Sequence, residues 1–226
     1  MKTKAFQNFS GKLDDLKITI SECNTILISD EPSSFVYDNA NFLTKSFLIS
    51  LCGYLESYLK DALEILIEDY NHRITVDSFP YNLVRWSIEN KDKSDSKVSS
   101  LLDKKKTRYE DLQIKLRKKD LDPFISGNPF RTRELFTMFG IDLNSVDHFS
   151  NNKENINQII VKRNNILHHN DDASDLSNQD VLTFVDEIMQ YSKKLDEQIE
   201  PRIANRVQYI VNEVSEATVL EIAEEE

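Results

Sequence analysis

Arg163, Asn164 and His168 are the residues of this chain whose types and spacing suit chemistry. Wound as a helix at about 100° per residue, residues 153–168 place Ile156, Ile159, Ile160, Ile166 and Leu167 on one apolar face, with Arg163 in its middle. A guanidinium is expensive to bury unless it is paired or held at an interface, so leucine would be the expected residue there. Asn164 and His168, four apart on the edge of the same face, can both reach one small volume. A guanidinium can grip an anion through two parallel hydrogen bonds, and an imidazole can take or give a proton near neutral pH. The residues alone leave two readings open. In one, Arg163 pairs with an acid from another helix, with Glu56 the candidate, and His168 simply favours the negative helix end. In the other, the three side chains form a site. His169 reads as a solvated neighbour, while His72 and His148 lack a companion motif and read as structural.

The elements that must position these groups are helices. Four glycines and five prolines in 226 residues are too few for a sheet protein with many tight turns. Phe9, Leu13, Leu16, Ile20, Cys23 and Leu27 recur at helical spacing between about residues 6 and 28. A longer helix is expected from Asn39 to Asn71, with a stripe from Leu48 to Leu66 broad enough for a central core helix. Residues 90–120 read as a charged helical insertion that projects. A short helix through Phe130, Leu135, Phe136 and Phe139 follows the Gly127-Asn128-Pro129 turn, with Gly140 as its C-terminal cap. After the polar loop 170–178, a last helix is expected from Gln179 to about Glu213, bent near Pro201. The chain thus reads as all-α, one helical domain over 1–213 with an acidic tail over 214–226, frayed from Glu221. It has no Gly-rich phosphate loop, nucleophile elbow, His-Glu-x-x-His or cysteine cluster, so no metal or cofactor is expected. Cys23 and Cys52 read as buried thiols.

Arg163-Asn164-x-x-x-His168, late in an all-α chain and followed by a polar loop and a long helix, resembles the signature of HEPN domains. Leu55-Glu56-Ser57-Tyr58-Leu59 is similar to the acid-bearing helix that family packs against its motif helix. The Gly127-Asn128-Pro129 turn before a Phe-rich helix is similar to defence- and toxin-type HEPN branches, including the RiboL-PSP-like one. The resemblance implies a HEPN-type helical bundle and RNA cleavage without metal, leaving a 2′,3′-cyclic phosphate and a 5′-OH. It implies His168 as acid/base group, Arg163 as phosphate clamp, Asn164 as an orienting group and Glu56 as the residue that orients Arg163. One histidine per chain is short of an acid-plus-base pair; the resemblance resolves this by a homodimer with one composite site. A toxin or anti-phage effector restrained by an antitoxin or other partner is the implied setting. A catalytically silent helical module for dimerisation, nucleotide binding or RNA binding is the alternative.

The net charge of −11 argues against an RNA partner only until it is divided. Residues 171–226 carry 15 acidic and 4 basic side chains, net −11. Residues 97–119 carry nine basic groups against Asp103, Glu110 and Asp111, net +6. The two are separate electrostatic objects, so Lys104, Lys105, Lys106, Lys118 and Lys119 are candidate RNA contacts, with a solvated helix face as the plainer reading. The longest apolar-rich stretch, Phe47 to Leu55, is too short to span a bilayer and no signal core follows Met1, so a cytoplasmic location without membrane contact is expected.

Overall fold

The computed structural model of the chain describes residues 2–29, 34–73, 116–145, 147–168 and 174–224, with side chains up to residue 203 in the last segment. Most of the expected insertion over 90–120, with Lys104, Lys105 and Lys106, lies outside the described residues. Helices α1 (Lys4–Leu27), α2 (Ser34–Asp38) and α3 (Ala40–His72) come first. They are followed by α4 (Lys118–Leu121), α5 (Pro129–Met138), a 3₁₀ turn (Leu143–Ser145), α6 (Asp147–His168) and α7 (Asn178–Glu224). No strand occurs among the described residues.

The core is the mutual packing of α1, α3 and α7, with α6 laid against α3 and α7. Phe6, Phe9, Leu13, Leu16 and Ile20 form the buried stripe of α1, as their spacing requires. Phe9 stacks on Tyr58 of α3 at 4.8 Å between ring centroids, and Phe6 meets the same ring edge-on at 6.1 Å. The Tyr58 hydroxyl donates to the Ser192 carbonyl of α7 at 3.1 Å, so one residue ties three helices together.

The ends of the helices are fixed by local chemistry. Asn128 caps α5, accepting from Phe130 N at 2.9 Å, and Pro129 supplies a first helical position that needs no donor. At the other end Gly140 takes φ 73°, Gly140 N donates to Thr137 O and Ile141 N to Phe136 O, each at 3.0 Å. Ser177 and Asp180 cap α7 reciprocally: Asp180 N donates to Ser177 Oγ at 3.1 Å and Ser177 N to Asp180 Oδ2 at 2.8 Å.

Three expectations are corrected. The last helix continues through Pro201 and on to Glu224, past the expected end near Glu213 and through most of the expected frayed tail. Proline costs this helix one donor, while Val, Leu, Ala and Glu beyond it are compatible with helix. Cys23 is half-buried on α1, near the edge of the stripe, and only Cys52 is fully enclosed. Leu167 is 48% exposed, because the last turn of α6 runs past the core that covers Ile156, Ile159 and Ile160.

The start of α1 is clamped to α7. Phe6 N donates to Thr3 Oγ1 at 3.1 Å, the Thr3 hydroxyl donates to Asp196 Oδ1, and Thr3 N donates to Asp196 Oδ2 at 3.0 Å. Burial pushes the Asp196 carboxyl above its ordinary value of 3.8, against the lowering effect of the two bonds from Thr3. A carboxyl raised in the folded state contributes stability below its unfolded value that is lost as pH rises through the folded one. Asp196→Ala is expected to lose about 1–3 kcal/mol in urea unfolding at neutral pH, because it orphans buried donors. Asp196→Asn keeps an acceptor and a donor for Thr3; it should hold its stability at neutral pH and lose part of the wild-type pH dependence on the acid side. Equal losses in both variants would remove the clamp from this account.

Candidate active site at the junction of α3 and α6

Arg163 occupies the middle of the buried face of α6, between Ile159, Ile160 and Ile166, and its side chain is 14% exposed. Its Nη2 pairs with Glu56 Oε1 across the helix junction, and its Nη1 donates to Asn164 Oδ1 at 3.0 Å. Glu56 stands beside Leu55, which is fully buried on the apolar stripe of α3, so the carboxylate sits at the edge of the stripe where α6 crosses it. Beneath the guanidinium lies Cys52. Burial pushes its thiol up to about 12, while the positive charge of Arg163 pulls the other way. An enclosed thiol so hard to ionise is no nucleophile.

The spacing between the two helices is set by the turn before α5. A Cβ on Gly127 would lie 2.5 Å from Ile160 Cδ1 and 3.5 Å from Leu55 Cδ2. Gly127 therefore fills a gap that admits no side chain, against the neighbour of Glu56 on one side and a residue one turn before Arg163 on the other. Asn128 Nδ2 donates to Asn157 Oδ1 at 2.9 Å and fastens the turn along α6.

The structure brings Glu56, Arg163 and Asn164 together. His168 stands apart from them: it is the last residue of α6, exposed, and among the described residues its ring has no hydrogen-bonding or charged partner. It follows Asn164 by one turn, and Lys162 of the same helix pairs with Asp175, ahead of α7, and lowers that carboxyl below its ordinary value. Val161 and Leu167, 46% and 48% exposed, are apolar positions of α6 left in solvent.

The basic candidates separate. Lys118 is engaged by Asp61 of α3, with Glu64 at 3.7 Å, and Lys60 of α3 reaches Asp122 at 2.5 Å, so residues 118–122 are strapped to α3 by crossed ion pairs. Lys119 is exposed. The pair of Lys118 explains its charge within the protein. Sequence reasoning missed Cys52 as the floor of the site, Gly127 as its spacer and the pair of Lys162 with Asp175. The Gly-Asn-Pro string was the one available signal, and it marks a turn without saying what the turn touches.

Residues 14–201, which include Glu56, Arg163, Asn164 and His168, match the family model described as RiboL-PSP-HEPN. No curated protein and no solved structure matches the chain.

Gly127→Ala is expected to force Ile160 out of its place, costing about 1–3 kcal/mol of stability by denaturant unfolding. The Ile160→Val change should relieve part of that loss when combined with it, and no relief would place the cost elsewhere. Cys52 should resist an aromatic disulfide reagent until the protein unfolds, while Cys23 is modified in the native state; fast labelling of both would contradict the enclosed floor.

Proposed function

The chain belongs to the RiboL-PSP-HEPN family, and from that premise we propose that it is a metal-independent RNA endonuclease whose site is completed by a second copy of the chain. The observation that carries this reading is the guanidinium of Arg163, held by Glu56 and Asn164 on an otherwise apolar helix face. A positive fork so anchored suits a phosphodiester: it holds the phosphate in the ground state and gains strength as charge builds on the phosphorus-bound oxygens.

The reaction assigned to the site needs no further reagent. The 2′-oxygen loses its proton to one imidazole and attacks phosphorus, the bond to the 5′-oxygen breaks, and that oxygen takes a proton from a second imidazole. The products are a 2′,3′-cyclic phosphate and a 5′-OH. His168 supplies one imidazole per chain, so two copies related by a two-fold axis supply the pair. The exposed Leu167 beside the motif supports that arrangement, since a facing α6 would cover it. Glu56 acts as a positioning residue for Arg163. The setting we assign is a toxin or defence effector restrained by a partner protein, and the basic segment with Lys104, Lys105 and Lys106 is its general RNA contact.

A second reading is favoured by the same pairing. Glu56 and Asn164 already satisfy much of Arg163 within one protomer and His168 stands in solvent, an arrangement a silent dimerisation or nucleotide-binding module would share. The histidine decides between them. Purified protein incubated with total RNA in EDTA should leave 2′,3′-cyclic phosphate ends, and His168→Ala or Arg163→Ala should lower the rate by roughly 10²–10⁴-fold. Glu56→Gln should lower it less. Light scattering at micromolar concentration should give a dimer. Exchanging Lys104, Lys105 and Lys106 for Glu should weaken RNA binding and flatten its salt dependence. Wild-type protein that binds RNA without cutting it would assign the chain to the silent class.

A further inference from the structure

The end of α3 away from Gly127 carries a cavity that the cleavage chemistry does not use. It holds about 440 Å³, within the range of small-ligand pockets, and lies between the last turns of α1, the first turns of α3 and the approach to α7. Leu27 and Leu176 contribute apolar wall, and among the described residues the polar lining consists of Asn24, Asn41, Thr44, Ser174, Ser177 and Asn178, none of them ionisable. Much of this polar lining has nothing to bind. Asn24, Asn41 and Ser174 have no side-chain hydrogen bond among the described residues.

Asn178 is the sharper case, because it is only 6% exposed. Its Oδ1 accepts from the Thr44 hydroxyl at 2.7 Å, which fixes the amide with its nitrogen as the free end. That nitrogen has no partner among the described residues and is not sealed in, so it can meet a group that enters the recess. Thr44 is equally buried and shares its hydroxyl with the Ala40 carbonyl at 2.9 Å, so the pair is rigid.

Amides and hydroxyls without charge, set in a half-apolar recess, suit a flat neutral ligand that both donates and accepts. A nucleobase fits that description, and its hydrogen-bonding edge is available only when it is unpaired. At the same corner Phe35, Tyr37 and Phe42 are exposed, Phe42 to 69%, on α2 and the first turn of α3. Exposed rings of this kind are the surface on which successive unpaired bases stack. Thr44 precedes Glu56 by about 18 Å along α3, a span of a few nucleotides.

We propose that this corner is a base-reading subsite for single-stranded RNA, in which Asn41 and Asn178 hydrogen-bond the edge of one unpaired base and the exposed rings carry its neighbours. The inference rests on the nuclease reading and deepens it: the substrate is an unpaired strand or loop, and the cleavage position is set by a base a few nucleotides from the scissile bond.

The test uses the full chain carrying His168→Ala, so that RNA is bound without being cut, and fluorescent single-stranded oligonucleotides of each base, together with one containing an abasic position. The His168→Ala protein should prefer one base, and the abasic substitution should cost about tenfold in affinity, the worth of one good hydrogen-bonding pair. Asn41→Ala, at an exposed helix position, should erase the preference; Ala40→Leu, which fills the recess from its wall, should do the same by a different route. In the cutting enzyme both variants should redistribute the positions of cleavage. Unchanged base preference and unchanged cleavage positions in both variants overturn the subsite, leave the corner to a protein partner and leave the nuclease reading intact. Failure of the His168→Ala protein to bind any RNA overturns both.

Discussion

The site is organised around one electrostatic obligation: a guanidinium set in an apolar helix face must be matched by a carboxylate from the helix it packs against. Arg163 and Glu56 meet that requirement. The pair is partly open to solvent, so its worth lies less in net stability than in specification. With Leu at 163 the two helices could slide by a turn and still bury apolar surface. With Arg there, only the register that presents Glu56 to Arg163 avoids an unpaired charge near the core.

The rest of the fold serves that register. Cys52 and Leu55 provide the floor, and Gly127 holds α6 at the distance where the pair closes. The turn that carries Gly127 is itself locked by the Asn128 cap and by Asn128 Nδ2 on Asn157. Farther out, α7 is tied to α1 by Asp196 on Thr3 and to α3 by Tyr58 on Ser192, so the helices that flank α6 cannot drift apart. Among the described residues nothing comparable holds His168, which ends its helix in an exposed position. The anchored cation and the unanchored imidazole are what an incomplete site would look like in one protomer.

Much of this was legible in the sequence, because helices declare themselves by period. The spans of α1, α3 and α5, the Gly140 cap and the pairing of Glu56 with Arg163 all follow from spacing, turn residues and the cost of burying charge. What was not legible depends on contacts between distant segments. The sequence places Gly127 in a turn, yet no local pattern says that Ile160 and Leu55 crowd it. Leu167 has the right phase to be buried and is exposed, because phase says which side a residue faces and not how far the opposing layer extends. The end of α7 was misjudged for the opposite reason: acidic, apolar-spaced residues can be helix or tail, and composition alone does not choose. The recess at the start of α3 gave no signal at all, since it is built from amides and hydroxyls that look like loop and cap residues wherever they occur.

Arginine at 163 does what lysine could not. A lysine could neutralise Glu56 from the same position, but an ammonium is a single point and would be spent on that contact. A guanidinium has five N–H donors in a rigid fork. Here one terminal nitrogen faces Glu56 and the other faces Asn164, while the side chain keeps a 14% opening to the surface. Two partners do not use up five donors, so the same group can be fixed by the protein and keep N–H groups over. That division explains why an ion pair inside one protomer does not by itself exhaust the residue: the carboxylate sets where the fork stands, and the fork has enough donors left to meet an anion arriving from outside.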